Sequence, residues 1–319
     1  MAEEKPFDVL IIGGGVSGLS AGMYAGRLGL KTALITEVRG GTLVSTTDIE
    51  NWPGIKKTDG VSLMKHIEDH AASYDIKMFD AKVSKVDKSK EFFTAETEGG
   101  KKYTSKTLII ATGTEIKKMG IKGEVEYSGK GVHYCALCDG SFYKDKIVAV
   151  IGGSDSAAKE ALLLTQWASK VYILYRGKKI RAEPVNMKRV EEMINQEKIA
   201  VINNTNITEI VAEGGKVKKV LLDKEFDGKK ELELNGIFVE IGRIARSGLA
   251  KQLKVKLNKN DEIVIDHNGH TNVSGVYAAG DVTDSDFKQA IVGSSEGVIA
   301  AYNAYNHIHG GKKKKGNYS

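Results

Sequence analysis

The sequence predicts an α/β protein made of two Rossmann-like dinucleotide-binding domains, the second inserted into the first. Three observations carry this expectation. A strand-like run from Asp8 to Ile12 opens onto Gly13-Gly-Gly-Val-Ser-Gly18, then a helical pattern to about Leu28 and a strand from Thr32 to Thr36. The same layout returns at Lys146 to Ile151, with Gly152-Gly-Ser-Asp-Ser-Ala157, a helical stretch to about Ala168 and a strand from Val171 to Tyr175. Each is the opening βαβ unit of a dinucleotide-binding domain. Late in the chain, Gly275-Val-Tyr-Ala-Ala-Gly-Asp281 reads as a strand ending on an acid, which a helix from near Gln289 follows. That late strand completes the first domain, so residues 1–113 and 243–319 form one domain and residues 114–242 the other. Two further buried strands, Thr107 to Gly113 and Gly236 to Gly242, end in small-residue turns at corresponding places in the two halves.

Composition agrees with this class. The chain has 319 residues, room for two cores, and its 36 glycines suit backbone that must approach cofactors closely. The start is acidic and runs straight into a strand, so no signal peptide is expected, and no apolar run is long enough to span a bilayer. A cytoplasmic protein is expected, in a compartment that keeps thiols reduced. Four of the charges behind the net +6 are Lys312 to Lys315, a tail read as solvated. It lacks interleaved aromatics and nucleic-acid motifs, so neither nucleic acid nor membrane is an expected partner.

The first turn fits G-x-G-x-x-G. Gly13 permits the tight turn, Gly15 lets a pyrophosphate approach bare backbone, and Gly18 allows close helix–strand packing. Glu37 stands 24 residues after Gly13, at the end of the next strand. A carboxylate there accepts from ribose hydroxyls and repels a 2′-phosphate, which favours an FAD- or NAD-type adenosine. In the second turn, Gly152, Gly153, Ser154, Asp155, Ser156 and Ala157, serine replaces the second fingerprint glycine. Its hydroxyl can donate to phosphate, yet its Cβ crowds the approach. Arg176 lies 24 residues after Gly152, where a cation pairs with a 2′-phosphate and favours NADP. Arg181, Lys178 and Lys179 extend that patch; the alternative is a solvated basic loop.

The two cysteines form one C-x-x-C pair, Cys135-Ala-Leu-Cys138, followed by Asp139. A structural zinc site needs about four ligands, and His133 is the only histidine nearby, so no metal is expected. A reversible dithiol is the expected chemistry, because this spacing can lower one thiol's pKa. Asp139 reads either as general acid or base for a departing thiolate or as a turn acid before Gly140.

At this point the sequence resembles the low-molecular-weight thioredoxin reductases, over Gly13 to about Gly297. The resemblance rests on Glu50-Asn-Trp-Pro-Gly54, Ala111-Thr112-Gly113, Cys135-Ala-Leu-Cys-Asp139, Ala278-Ala-Gly-Asp281 and Gln289-Ala290. It implies FAD along Asn51 and the Gly41–Thr42 turn, with Asp281 at the ribityl or pyrophosphate region and Gln289–Ala290 at the pyrimidine edge. Carried across the matching motifs, it adds Ser17, Thr36 and Val83, together with Gly280 and Lys288, to the FAD residues. It adds Ile241 to the NADP residues. It implies that Cys138 lies nearest the flavin, that Cys135 attacks the protein disulfide, and that Asp139 donates the proton. The implied activity is reduction of thioredoxin or a thioredoxin-like protein by NADPH through FAD, in a homodimer. Three departures stand out: Thr42 where relatives carry glutamine, Gly177 where an arginine is usual, and Arg243-Ile-Ala-Arg246 in place of H-x-P-N. These leave ferredoxin or another donor as an alternative, and a flavin redox sensor without turnover as a third.

Overall fold

The computed structural model describes residues 5–310. Lys312 to Lys315, read above as a solvated tail, lie outside them. The chain divides into two compact units, residues 1–115 with 244–319 and residues 116–243.

The first unit opens with β1 (Phe7–Ile12), α1 (Val16–Arg27), β2 (Thr32–Thr36), α2 (Gly60–Ala72) and β3 (Lys77–Asp80). A meander of β4 (Val83–Lys88), β5 (Phe93–Thr97) and β6 (Lys102–Ile110) follows, and β7 (Thr114–Ile116) leads out. The sheet order is β3-β2-β1-β6-β5-β4. The strands from β3 to β6 run parallel, while β4, β5 and the start of β6 form an antiparallel extension.

Strand β1 alternates between two cores. Val9 and Ile11 share one core with Leu19, Ala21 and Ala25 of α1, whereas Leu10 and Ile12 share the other with their sheet neighbours Ile35, Leu108 and Ile110. A strand covered on both faces must be apolar throughout, which explains the unbroken Val9-Leu-Ile-Ile12 run.

The second unit contains β8 (Val132–His133), the short helix α3 (Ala136–Asp139), β9 (Ile147–Ile151), α4 (Asp155–Leu164), β10 (Lys170–Tyr175), α5 (Pro184–Asn195) and β11 (Ile199–Asn203). Its five-stranded sheet, β11-β10-β9-β15-β8, is parallel throughout, with β15 at Gly236–Val239. Between them, β12 (Ile207–Glu213), β13 (Lys216–Phe226) and β14 (Lys229–Glu233) form an antiparallel sheet. Val148 and Val150 pack on Ala157, Ala161 and Leu164 of α4. Ala149 and Ile151 share the opposite core with Ile210, Val217 and Val220 of the antiparallel sheet. One face of the parallel sheet is thus covered by helices and the other by strands.

The chain returns through β16 (Arg243–Ala245), which pairs with β7, then α6 (Gly248–Gln252), β17 (Val276–Ala278) and α7 (Ala290–Ile308). Strand β17 runs parallel to β6, pairing Val276 to Ala278 with Leu108 to Ile110. This completes the five-strand parallel core of the first unit from residues far apart in sequence. Helix α7 packs against α1 through small residues: a Cβ on Gly297 would stand 2.1 Å from the Ser17 carbonyl oxygen. Among the described residues, no helix is long and apolar enough to cross a membrane.

Candidate functional site

In the first unit the glycine turn sits where β1 ends and α1 begins. Gly13 has a φ of 116°, and a Cβ there would lie 2.1 Å from the Ala111 carbonyl oxygen. A Cβ on Gly18 would lie 1.8 Å from the Gly13 oxygen. These two glycines are therefore required by the protein's own packing. Gly15 is different: its Cβ would meet only the Gly41 Cα, at 3.8 Å. The chain keeps this backbone bare without needing to do so for itself, which fits a diphosphate approaching the amides at the start of α1.

Other expected residues gather around that turn. Thr36 is buried, and its side chain lies against Gly14. Glu37 follows at the end of β2, where the Arg246 guanidinium, 2.7 Å away, holds its carboxyl below the usual range. Arg246 also accepts the Thr112 hydroxyl at its carbonyl oxygen, at 2.8 Å. Ala111 donates its N–H to the Ile12 oxygen at 2.8 Å, and Gly113 takes a φ of 62°. Asn51 donates from Nδ2 to Gln289 Oε1 at 3.0 Å, joining residues 238 apart in sequence. Gln289 caps α7, so Ala290 is that helix's first residue. Thr42 is exposed in the short turn of Gly41–Ser45.

Some expected residues have side chains engaged within the protein. Ser17 is buried beneath Gly280 and Gly293, whose Cβ atoms would lie 2.2 and 2.6 Å from its Oγ. Val83 belongs to the hydrophobic core. The Lys288 ammonium pairs with Glu262 at 2.9 Å and donates to the carbonyl oxygens of Asp281 and Thr283 at 3.2 and 2.6 Å. Gly280 donates its N–H to Glu296 Oε2 at 2.6 Å. Neither Glu296 nor Arg246 was singled out as a site residue from sequence. Glu296 lies within α7 and carries no motif; the signal for Arg246 was the departure from H-x-P-N.

In the second unit the second turn keeps the same frame. Gly152 has a φ of 155°, and its Cβ would stand 2.2 Å from the Glu240 oxygen. Ser154 caps α4 in extended backbone, with its exposed side chain making no cap bond. The Arg181 N–H donates to the Gly153 oxygen at 2.7 Å, which brings the basic loop onto the turn. Asp155 anchors that loop, accepting from the Glu183 N–H at 2.9 Å and Asn186 Nδ2 at 2.8 Å. Arg176, Lys178, Lys179 and Arg181 are exposed and form no ion pair among the described residues. Ser156 is exposed and Ala157 buried, and Ile241 packs beside the core facing the antiparallel sheet. The Tyr175 ring fills the space over two glycines: a Cβ on Gly153 or Gly177 would stand 2.4 or 2.5 Å from its atoms. Free amides at a helix start with unpaired cations beside them fit a phosphorylated dinucleotide.

The same unit carries the dithiol. Cys135 and Cys138 form a disulfide with a Cα–Cα distance of 5.4 Å. Cys135 caps α3, its Sγ accepting the Cys138 N–H at 3.2 Å. Cys138 is exposed and Cys135 half-buried. Asp139 ends the helix, and its Oδ2 lies 3.0 Å from His133 Nδ1. His133 is buried, and its Nε2 lies 2.7 Å from the Tyr143 hydroxyl. Burial, with the Asp139 charge nearby, pushes Tyr143 up to about 12. Behind the helix, Glu160 Oε2 accepts the Ala136 N–H at 2.7 Å. Burial, with Glu240 beside it, pushes the Glu160 carboxyl up to about 7, and burial also raises Glu240. Among the described residues no cluster of three His, Cys, Asp or Glu side chains is placed to hold a metal.

Two glycine turns opening parallel sheets, and a bridged C-x-x-C in the second unit, match what comparison with known proteins finds. The sequence profile of the pyridine nucleotide-disulphide oxidoreductases matches residues 7–297. The chain belongs to the pyridine nucleotide-disulphide oxidoreductase family. Within this family it is 36% identical to a thioredoxin reductase of Bacillus subtilis over 312 residues, covering 97% of this chain and 96% of that one. An NADH dehydrogenase of Bacillus subtilis is 35% identical over 307 residues; this chain spans only 60% of its length. Among solved structures, the thioredoxin reductase of Lactococcus lactis superposes with a TM-score of 0.90 at 33% identity, covering 95% of this chain and 99% of that one.

Proposed function

We propose that this family member is a flavin-dependent thioredoxin-disulfide reductase, in which NADPH is the donor and Cys135–Cys138 the exit point for electrons. The observation that carries the reading is the bridged pair at the start of a helix that ends on Asp139, in the same unit as the second nucleotide turn. In this reading residues 1–113 and 243–319 bind FAD and residues 114–242 bind NADPH. Gly13, Gly15, Gly18 and Glu37 would hold the adenosine diphosphate end of FAD, and Asn51, Asp281, Gln289 and Ala290 the flavin end. Gly152 to Ala157 with Arg176 and Arg181 would hold NADPH. Bound FAD supplies the two-electron chemistry that links a nicotinamide to a disulfide.

The chain's own residues do the rest. Cys138, the exposed sulfur, receives electrons when the pair is reduced. Cys135 thiolate attacks the thioredoxin disulfide, and Cys138 then attacks Cys135 to release the second thioredoxin thiol. Asp139 moves protons at the departing sulfurs. The reading makes the protein a cytoplasmic homodimer.

The test is a spectrum of the purified protein followed by anaerobic titration with NADPH, then NADH, and an assay of thioredoxin reduction. Flavin absorbance, bleaching by NADPH and thioredoxin thiol formation are expected. A colourless chain that retains no added FAD would refute the reading. A second donor, a reduced ferredoxin-type carrier, draws support from one observation: Ser154 and the Tyr175 ring over Gly153 narrow the approach to the second turn. Its signature is flavin that NADPH does not bleach while the carrier does.

A further inference from the structure

Behind Asp139 lie two buried side chains, His133 and Tyr143, that the reaction outlined above does not use. His133 sits at the end of β8, buried, with both ring nitrogens engaged: Nδ1 at 3.0 Å from Asp139 Oδ2 and Nε2 at 2.7 Å from Tyr143 Oη. Ring contacts fix it further. Phe238 of β15 stacks on it with centroids 5.3 Å apart at 26°, and Tyr143 meets it edge-on at 5.4 Å and 76°. The fold makes room for Tyr143, since a Cβ on Gly236 would stand 2.4 Å from its ring.

A buried imidazole held by a carboxylate on one side and a hydroxyl on the other has a defined tautomer and a defined place for a second proton. The carboxylate only accepts, so the neutral ring keeps Nδ1–H toward Asp139 and takes the Tyr143 hydroxyl at Nε2, and a second proton turns Nε2 into a donor to Tyr143 Oη. The groups that titrate around the ring are Asp139 from α3 and Tyr143 from the turn after it, and β15 contributes the apolar Phe238. The nearby Tyr134 hydroxyl is directed to Glu124, at 3.1 Å, and the Glu160 carboxylate to the Ala136 N–H.

We propose that His133 is a proton-holding and positioning partner of Asp139, so that the pair, steadied by Tyr143, carries the proton exchanged with the dithiol and its disulfide substrate. The proposal rests on the reductase reading and adds a residue to it. In the reduced protein Cys135 gives its proton to the pair through the Asp139 carboxyl, and the carboxyl and the His133 ring share it. Cys135 thiolate attacks the substrate disulfide, forming one S–S bond and breaking another. The sulfur that leaves takes the stored proton. Cys138 then gives its proton to the pair and attacks Cys135, reforming the Cys135–Cys138 bond, and the second departing sulfur takes that proton. Two electrons and two protons move from the dithiol to the substrate, and the pair ends as it began.

The test is the pH dependence of Cys135 alkylation by iodoacetamide in the dithiothreitol-reduced chain, mapped by mass spectrometry, alongside turnover with thioredoxin disulfide. The wild type is expected to show two coupled inflections. H133N keeps a donor toward Asp139 but cannot carry the second proton. It should show one inflection and lose about tenfold or more in thioredoxin reduction. Y143F keeps the ring packing and removes the Nε2 partner, and should move the lower inflection by roughly half to one pH unit. It also decides the matter should H133N lose its circular dichroism signature. An H133N profile identical to wild type with turnover intact, or a Y143F profile that does not move, overturns the proposal. Should the wild type reduce no thioredoxin while the alkylation profiles behave as described, the reductase reading falls and the proton-holding role stands.

Discussion

Exposure separates the two sulfurs: Cys138 is open to solvent, whereas Cys135 is half-buried and accepts the Cys138 N–H. A Cys138→Ser variant keeps the attacking thiol and loses the resolving one. It is expected to accumulate a mixed disulfide with thioredoxin, visible as a shifted band on a non-reducing gel, while Cys135→Ser forms none. Asp139→Asn removes the carboxylate that exchanges the proton, and thioredoxin reduction should fall by about a hundredfold at unchanged flavin content. Glu160 supplies a pH test of stability. Its folded carboxyl is pushed up to about 7, above the ordinary value of 4.5, mainly by burial. Between those values the native state holds more protons than the unfolded chain, so this group's contribution to stability falls as pH rises through the window. Urea denaturation should show the wild type losing up to about 3 kcal/mol from this site between pH 5 and pH 8. Glu160→Gln, whose amide oxygen can still accept the Ala136 N–H, should flatten that slope.

Among the elements, the α1–α7 contact positions the first turn. Gly297 passes so close to Ser17 that any side chain must separate the helices. Gly297→Leu should therefore lower the thermal midpoint and weaken flavin retention together, by an overpacking cost of roughly 1–3 kcal/mol. Gly15→Ala is the informative contrast. Its Cβ clashes with nothing in the protein, so the chain should melt within about 0.5 kcal/mol of the wild type without FAD. Flavin retention after gel filtration should nonetheless drop, because the methyl occupies the diphosphate's approach.

Across the molecule, each unit builds a parallel sheet from a glycine turn, yet the two sheets are finished differently. The first receives β17 from the far end of the chain, beside the end of β6. The second is backed by the antiparallel strands β12 to β14, which bury Val217 and Val220 against Ala149 and Ile151. Much of this was legible in the sequence because each βαβ opening is local: strand, turn and helix are contiguous, and Gly18 is dictated by the Gly13 carbonyl within the same turn. The antiparallel layer was not singled out. Its strands carry no chemical motif and take their meaning from the face they cover. The same distinction holds at the dithiol. Cys135, Cys138 and Asp139 were visible as a motif, whereas His133 was noted only as a histidine near a possible metal site.

What the sequence alone determined is whatever short-range spacing encodes: two dinucleotide-type turns, a vicinal cysteine pair, the acid that follows it, and the charge at the end of each second strand. What only the tertiary structure decided is which distant side chains complete those motifs. Asn51 with Gln289, Glu37 with Arg246, Gly280 with Glu296, and Tyr143 with His133 and Asp139 are joined by hydrogen bonds or ion pairs. The physical reason is that backbone sterics act over a few residues and leave a periodic trace. A hydrogen bond between side chains depends on a few tenths of an ångström that only the closed, packed sheets provide.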